Sequence, residues 1–261
     1  MNILVCLKQV PGSTKVDIDE TTGVLKRDGV DSKMNPYDLY ALEYALSLKQ
    51  EGDTITAFSM GPNQAIDMLK EAFGMGVDEA VLLSDRALAG ADVLATSYAI
   101  SQGIALLGDF DLILCGKQTT DGDTAQVGPE LAQWLSLPHG ANVIKIEEIT
   151  DSDVTITLTT ELGSQTQKLP RPCLLTIEKD ANTPRLPSYK KLQATKDKEI
   201  RILGVKDLKD KDPKHYGLNG SPTQVERIFP PSVNTDKILH QGTPQELTKA
   251  FVNALKEARF L

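Results

Sequence analysis

Cysteine and histidine are scarce in this chain of 261 residues, three of each, and none of the six has a neighbour at a ligand-like spacing. Cys6, Cys115 and Cys173 each sit in a short apolar, strand-like run. That placement suits buried thiols in a reducing compartment and excludes a disulfide framework. His139, His215 and His240 are isolated, so no metal site is expected. Long apolar runs are missing too: nowhere do about 18 apolar residues follow one another, and no transmembrane segment is expected. Basic residues are outnumbered, 28 against 36 acidic ones, for a formal net charge of -8. The excess of acid argues against a nucleic-acid partner, which is usually met by a basic face. No basic leader or cleavage pattern surrounds the opening run Met1 to Leu7, so the cytoplasm rather than export is expected.

The length suits one main domain with an appendage. Asn2 to Val10 reads as a nearly continuous first strand, apolar on both faces as in a covered parallel sheet. Residues 16–30 alternate polar and apolar around Thr22-Gly23 and read as a surface hairpin. Asn35 is a good N-cap and Pro36 a good first helical residue, and Leu39, Leu42, Ala45 and Leu46 line one face of a helix ending before Gly52. Thr54 to Met60 reads as a strand. A helix follows over Ala65 to Ala72, stopping at Gly74-Met75-Gly76. Ala80 to Leu83, a helix from about Asp92 to Leu107, and a strand from Asp111 to Cys115 continue the alternation. This rhythm predicts a parallel α/β sheet with its ligand outside the carboxyl ends of the strands.

After Leu137 four runs separated by turn signals, 142–149, 154–161, 165–169 and 173–178, predict an antiparallel extension. Half of the 14 prolines lie beyond Lys179 and 207–213 is densely charged, so little independent core is expected there. A last helix near Gln245 to Arg259 carries Leu247, Phe251, Ala254 and Leu255 on one stripe. Such a tail packs on another chain or folds back on its own domain.

The most informative stretch is Gly116 to Pro129, between the apolar run ending at Cys115 and a helical pattern running to Trp134. A strand, a small polar loop and a helix start form a phosphate seat, with Gly116 and Gly122 allowing close approach and a helix beginning near Thr124 turning its free N–H groups toward an anion. The loop is no P-loop, because Asp111 and Gln118 stand where glycine and Ser or Thr are needed, and Gln9-Val10-Pro11-Gly12-Ser13 lacks the dinucleotide fingerprint. Thr120, Thr124, Gln126 and backbone amides are the better phosphate donors. Asp121 and Asp123 could hold a ribose or cap the helix, but would repel a diphosphate unless turned away. No nucleophile and base pair is recognisable, so no catalytic residue is assigned.

Val5-Cys6-Leu7-Lys8-Gln9-Val10, Met34-Asn35-Pro36-Tyr37-Asp38, Leu42-Glu43-Tyr44-Ala45-Leu46, Ser59-Met60-Gly61-Pro62, Gly116-Lys117-Gln118 and Asp121-Gly122-Asp123-Thr124-Ala125-Gln126-Val127-Gly128 together resemble the beta subunit of electron-transfer flavoproteins, over essentially the whole chain. The resemblance implies an α/β fold with an adenine nucleotide alpha hydrolase-like parallel-sheet nucleotide-binding domain, an antiparallel extension and a C-terminal arm. It divides the chain into a binding domain over 1–179 and, over 180–261, a docking loop and an arm wrapping an alpha subunit that carries the electron-transferring FAD. The Asp121 to Pro129 wording looks like that of electron-bifurcating members, whose beta subunit holds a second FAD; non-bifurcating members hold AMP as a structural nucleotide. On the bifurcating reading NADH gives a hydride to the beta-subunit flavin, and electrons divide between ferredoxin or flavodoxin and, through the alpha subunit, a flavin-dependent dehydrogenase. Carried over by position, the nucleotide contacts are Cys6, Lys8, Asn35, Asp38, Ser59, Met60, Gly116, Gln118, Thr119, Thr120, Asp121, Gly122, Asp123, Thr124, Ala125, Gln126 and Val127. A docking element after Pro184-Arg185 places Tyr189 where acyl-CoA dehydrogenase-binding members have a leucine anchor, with Leu192 in the helix that follows. The departure favours another partner, such as a 2-hydroxyacid or lactate dehydrogenase, over an acyl-CoA one; Tyr189 could also be only a surface aromatic.

Overall fold

The computed structural model describes residues 1–12, 32–226 and 237–261. The chain forms two compact units, Met1–Glu226 and Arg227–Leu261. The hairpin expected over 16–30 lies outside the described residues.

The first unit is built on one sheet. In chain order its elements are β1 (Asn2–Cys6), β2 (Gln9–Pro11), β3 (Ser32–Met34), α1 (Pro36–Leu48), β4 (Thr54–Met60), α2 (Ala65–Met75), β5 (Glu79–Leu83), α3 (Val93–Ile104), β6 (Leu112–Gly116), α4 (Val127–Trp134), β7 (His139–Ile149), β8 (Asp153–Thr160), β9 (Gly163–Pro170), β10 (Cys173–Ile177), α5 (Tyr189–Ala194) and β11 (Arg201–Leu203). Nine of the strands lie in the order β11-β5-β4-β1-β6-β10-β7-β8-β9, while β2 and β3 pair separately. From β11 through β7 all neighbours are parallel. β7, β8 and β9 continue the same sheet as an antiparallel meander.

The first strand is shorter than its apolar pattern suggests. β1 ends at Cys6, Leu7 still donates to the Phe58 carbonyl, and Gln9–Pro11 turns away to pair antiparallel with Ser32–Met34. Cys173–Ile177 also departs from expectation. It is parallel to both neighbours and inserted between β6 and β7, so the antiparallel excursion spans β7 to β9 and the chain then returns to the covered interior of the sheet. All five residues of β10 are buried, which is why its run is apolar on both faces.

Side-chain alternation divides the core into two layers. Ile3, Val5, Ile55, Ala57, Leu112 and Leu114 face α1 and α2, whereas Leu4, Phe58, Ile113, Cys115 and Leu174 face α3 and α4. Residues 180–226 have no core of their own but join this one: β11 pairs with β5, and Leu203, Val205, Leu208 and Tyr216 are buried in the second layer. Glu43 fastens the segment's beginning, accepting from Arg185 Nε at 2.8 Å and Nη2 at 2.7 Å.

In the second unit α6 (Pro244–Glu257) starts at a capping box in which Thr243 and Glu246 satisfy each other's ends. None of its residues is buried, and Leu247 and Phe251 are exposed along the predicted stripe.

Candidate functional site at the carboxyl ends of β1, β4 and β6

From β1 the chain steps outward to β4 and β5, then returns through α3 to place β6 on the other side of β1. The strand order reverses there, and the loops leaving β1 and β6 part to opposite sides of the sheet. Such a switch point is where open α/β sheets hold ligands. Cys6, Lys8, Ser59, Met60 and the loop from Gly116 to Gln126 all lie at this edge, as their positions after β1, β4 and β6 require.

Asp38 and Asn35 tie these pieces together. Asn35 stands at the N-cap of α1 but makes no cap bond; its amide instead donates to Asp38 Oδ1 at 2.9 Å and to the Gln118 carbonyl at 2.8 Å. Asp38 Oδ2 accepts the Lys8 amide at 2.7 Å. Gly116 packs directly on this carboxyl. One carboxylate thus joins the tips of β1 and β6 to the first turn of α1. Burial raises its pKa from 3.8 to about 7, against the opposing pull of these donors and of the Lys8 charge. With its oxygens occupied by the protein, Asp38 holds the site's walls in place.

The loop itself is held by polar contacts among its own residues and to β1. Lys8 Nζ meets Asp121 Oδ1 at 2.8 Å, Gln118 Nε2 donates to Asp123 Oδ2 at 3.0 Å, and Thr119 Oγ1 donates to the Gly122 carbonyl at 3.0 Å. Partial burial would raise the Asp121 pKa, yet the Lys8 ammonium, with Thr119 and a backbone amide, outweighs it and holds the carboxyl below its usual value. Lys117 is paired at 2.7 Å with Glu178, just past β10, a fixing contact that a reading of β10 as part of the antiparallel extension could not reveal. Both loop carboxylates are therefore engaged by neighbouring groups, and the charge of Asp121 is matched. The repulsion toward a diphosphate is reduced accordingly.

Two local expectations are corrected. The helix begins at Val127 rather than near Thr124, with Gln126 at its N-cap, and the Thr124 amide bonds the Gly122 carbonyl within the loop. Asp123 and Thr124 thus do not cap α4. Gln126 makes no side-chain cap bond either, so the amides of Val127 and Gly128 are left as the uncapped donors of the helix start; Pro129 has none. The two loop glycines also differ in role. A Cβ on Gly116 would lie 2.3 Å from Asp38 Oδ1 and 2.7 Å from the Asp38 nitrogen, while one on Gly122 would meet only Thr119 Oγ1 at 4.0 Å. Gly116 is required by packing on α1. Ala125, between them and the helix, adopts φ 55°, a left-handed turn that re-aims the chain into α4.

The residues fit a polar ligand at this edge. Asn35 Oδ1 and Ser59 Oγ are buried without a hydrogen-bond partner among the described residues. Buried polar atoms are rarely left so, and these two flank the β1 tip from α1 and β4. Together with the uncapped start of α4, they offer hydrogen bonds at both ends of the crevice. Cys6 is half-buried and Met60 packs partly against the second core layer, whereas Thr120 and Thr124 are exposed.

The two docking residues separate in space. Tyr189, at the start of α5, is 76% exposed. Leu192, one turn on, turns inward: a Cβ on Gly74 of α2 would lie 2.5 Å from its Cδ2. Leu192 therefore seats α5 on α2, and Leu186 and Tyr189 are the apolar side chains α5 and its approach leave outward.

A parallel α/β sheet with its crevice at a strand-order reversal, walled by an uncapped helix start, defines the class to which this chain's architecture belongs. The electron transfer flavoprotein domain matches residues 22–208, and the chain belongs to this family. It is 44% identical over 262 residues to the electron transfer flavoprotein subunit beta of Clostridium acetobutylicum, covering 100% of both chains. It is 42% identical over 266 residues to the caffeyl-CoA reductase-Etf complex subunit CarD of Acetobacterium woodii, again with 100% of both covered. With the electron transfer flavoprotein subunit beta of Megasphaera elsdenii the identity is 45% over 241 residues, 88% of each chain. Similarity of this extent assigns the chain a beta-subunit role in electron transfer. Among the described residues no helix is long and apolar enough to cross a membrane.

Proposed function

We propose that this chain is the beta subunit of a heterodimeric, electron-bifurcating electron transfer flavoprotein, with FAD at the crevice between β1 and β6. The observation that carries the reading is the loop from Gly116 to Val127: its Lys8–Asp121 pair anchors it over the β1 tip, and it ends in a helix start without a side-chain cap. The adenosine portion belongs beside Asn35, Asp38 and the end of β1, with the Asn35 and Ser59 oxygens as its partners. Thr120, Asp123, Thr124, Gln126 and Val127 approach the diphosphate. When bound, FAD supplies the chemistry of accepting a hydride from NADH and of dividing electrons between ferredoxin or flavodoxin and, through the alpha-subunit FAD, a flavin-dependent dehydrogenase.

The rest of the chain would serve assembly. Residues 1–179 supply the binding domain, and residues 180–261 supply the docking element and the arm that meets the alpha subunit in the cytoplasm. Tyr189 is the outward anchor for the dehydrogenase, for which a 2-hydroxyacid or lactate type fits the aromatic better than an acyl-CoA type, and Leu192 fixes the helix that presents it. Subunit-resolved nucleotide extraction from the purified heterodimer is the test. Two FAD per heterodimer, falling toward one in the Thr124→Ala/Gln126→Ala double variant, is the expected result; one FAD and one AMP would overturn the reading.

A further inference from the structure

Cys6 and Cys115 stand 109 positions apart in sequence, yet they are Cα partners in the register of β1 and β6. Both turn toward the α3 and α4 face, where Cys115 is buried and Cys6 packs beside it, half-buried. The neighbouring Cys6 thiol, together with burial, pushes the Cys115 thiol well above its ordinary pKa. Adjacent strands run about 4.8 Å apart, inside the Cα separation of about 4.4–6.8 Å that a disulfide spans. Cys173 has no such neighbour: it is fully buried on the opposite face.

We infer that Cys6 and Cys115 form a redox couple that closes into a disulfide when the protein meets hydrogen peroxide. The half-exposed Cys6 reacts first, its sulfur attacking the peroxide oxygen to give a sulfenic acid and one water. Cys115 then displaces that hydroxyl as a second water, and the S–S bond forms with the peroxide reduced by two electrons. The buried thiol is a poor first target, because its high pKa suppresses the thiolate, but it faces the oxidised sulfur from the paired position on the neighbouring strand.

The pair sits at the switch point itself, between the two loops that wall the crevice. A disulfide requires Cβ atoms about 3.5–4.5 Å apart, closer than in-register positions of a parallel pair stand. Closure therefore draws the β1 and β6 tips together and shifts Lys8, which is bonded to Asp38, and Gly116, which packs on it. Loss of ligand on oxidation is the expected consequence, and this part rests on the nucleotide reading above.

The test treats the full-length chain in its purified complex with hydrogen peroxide, then alkylates under denaturing conditions and maps the peptides. Alkylatable thiols in this subunit should fall from three to one, Cys173, with a Cys6–Cys115 cross-linked peptide that dithiothreitol returns to two free thiols. Three thiols remaining, or Cys6 carried to a sulfinic acid with Cys115 free, would overturn the inference. In Cys115→Ala a trapping reagent should capture a persistent Cys6 sulfenic acid; no capture counts against Cys6 as the first site. Should the untreated complex contain no beta-site nucleotide, the functional reading fails while the peptide map still decides the thiol pair.

Discussion

The Lys8 amide donates to Asp38 Oδ2 at 2.7 Å while the Lys8 ammonium reaches Asp121 at 2.8 Å. One residue at the tip of β1 therefore binds a buried carboxyl through its backbone and the loop after β6 through its side chain. The two carboxylates respond oppositely: Asp38 is raised by burial, Asp121 lowered by the ammonium. The crevice is thus tied to pH through one wall and to ionic strength through the other.

Asp38 sets a pH dependence of stability. Its folded pKa of about 7 lies above the ordinary 3.8, so between these values the folded state binds more protons than the unfolded one. This group's contribution should therefore fall as pH rises from about 4 to about 7, by about 4 kcal/mol at the handicap of 1.36 kcal/mol per pH unit, and stay level above. Urea midpoints of wild type and Asp38→Asn across this range should converge or diverge with that slope; parallel profiles would refute the assignment.

Gly116 and Gly122 should respond differently to alanine. At Gly116 the new methyl meets Asp38 and the backbone of Tyr37, and overpacking against backbone costs about 1–3 kcal/mol or more. At Gly122 the space is open, and a change within about 0.5 kcal/mol is expected. Chemical denaturation of the two variants checks the pair.

Glu43 and Arg185 latch the chain after β10 to α1. Pairing with Arg185 outweighs burial and lowers the Glu43 pKa. Its contribution is therefore present above the ordinary 4.5 and lost as pH falls through the lowered folded value. Because the arginine is 40% exposed, solvent screening limits the loss in Glu43→Gln to about 1 kcal/mol. Amide exchange should quicken over residues 183–195 in that variant and leave β1 unchanged.

Tyr189 and Leu192 should separate docking from folding. Tyr189→Ala should leave the unfolding midpoint within experimental error and weaken binding to the partner dehydrogenase, measured by titration of the complex. Leu192→Ala removes the side chain that fills the space over Gly74 and should loosen α5 first, seen as faster exchange of its amides.

The local elements were largely legible in the sequence. The apolar spacing from Ala65 and the glycines at 74 and 76 place α2, and Thr54 to Met60 is β4 residue for residue. What pattern could not show was partner choice. Cys173–Ile177 reads as a buried strand under any pairing, and only its neighbours make it parallel. The polar residues Asp123 and Thr124 imitate a helix cap, yet Asp123 is used by Gln118 and the Thr124 amide by Gly122. Likewise the candidate ligand loop was visible as a segment, while its attachment through Lys8, 113 positions from Asp121, depends on the fold bringing β1 and β6 together.

Among the described residues the sheet ends on one side at β9, whose outer backbone groups have no strand beyond them. An edge of eight residues could recruit a second copy of the chain by strand addition. Its sequence, Gly-Ser-Gln-Thr-Gln-Lys-Leu-Pro, is mostly exposed and polar, places Lys168 near the end and finishes on Pro170, which has no amide to donate. Self-association through this edge is thereby disfavoured, and the long meander can extend the sheet without seeding larger stacks.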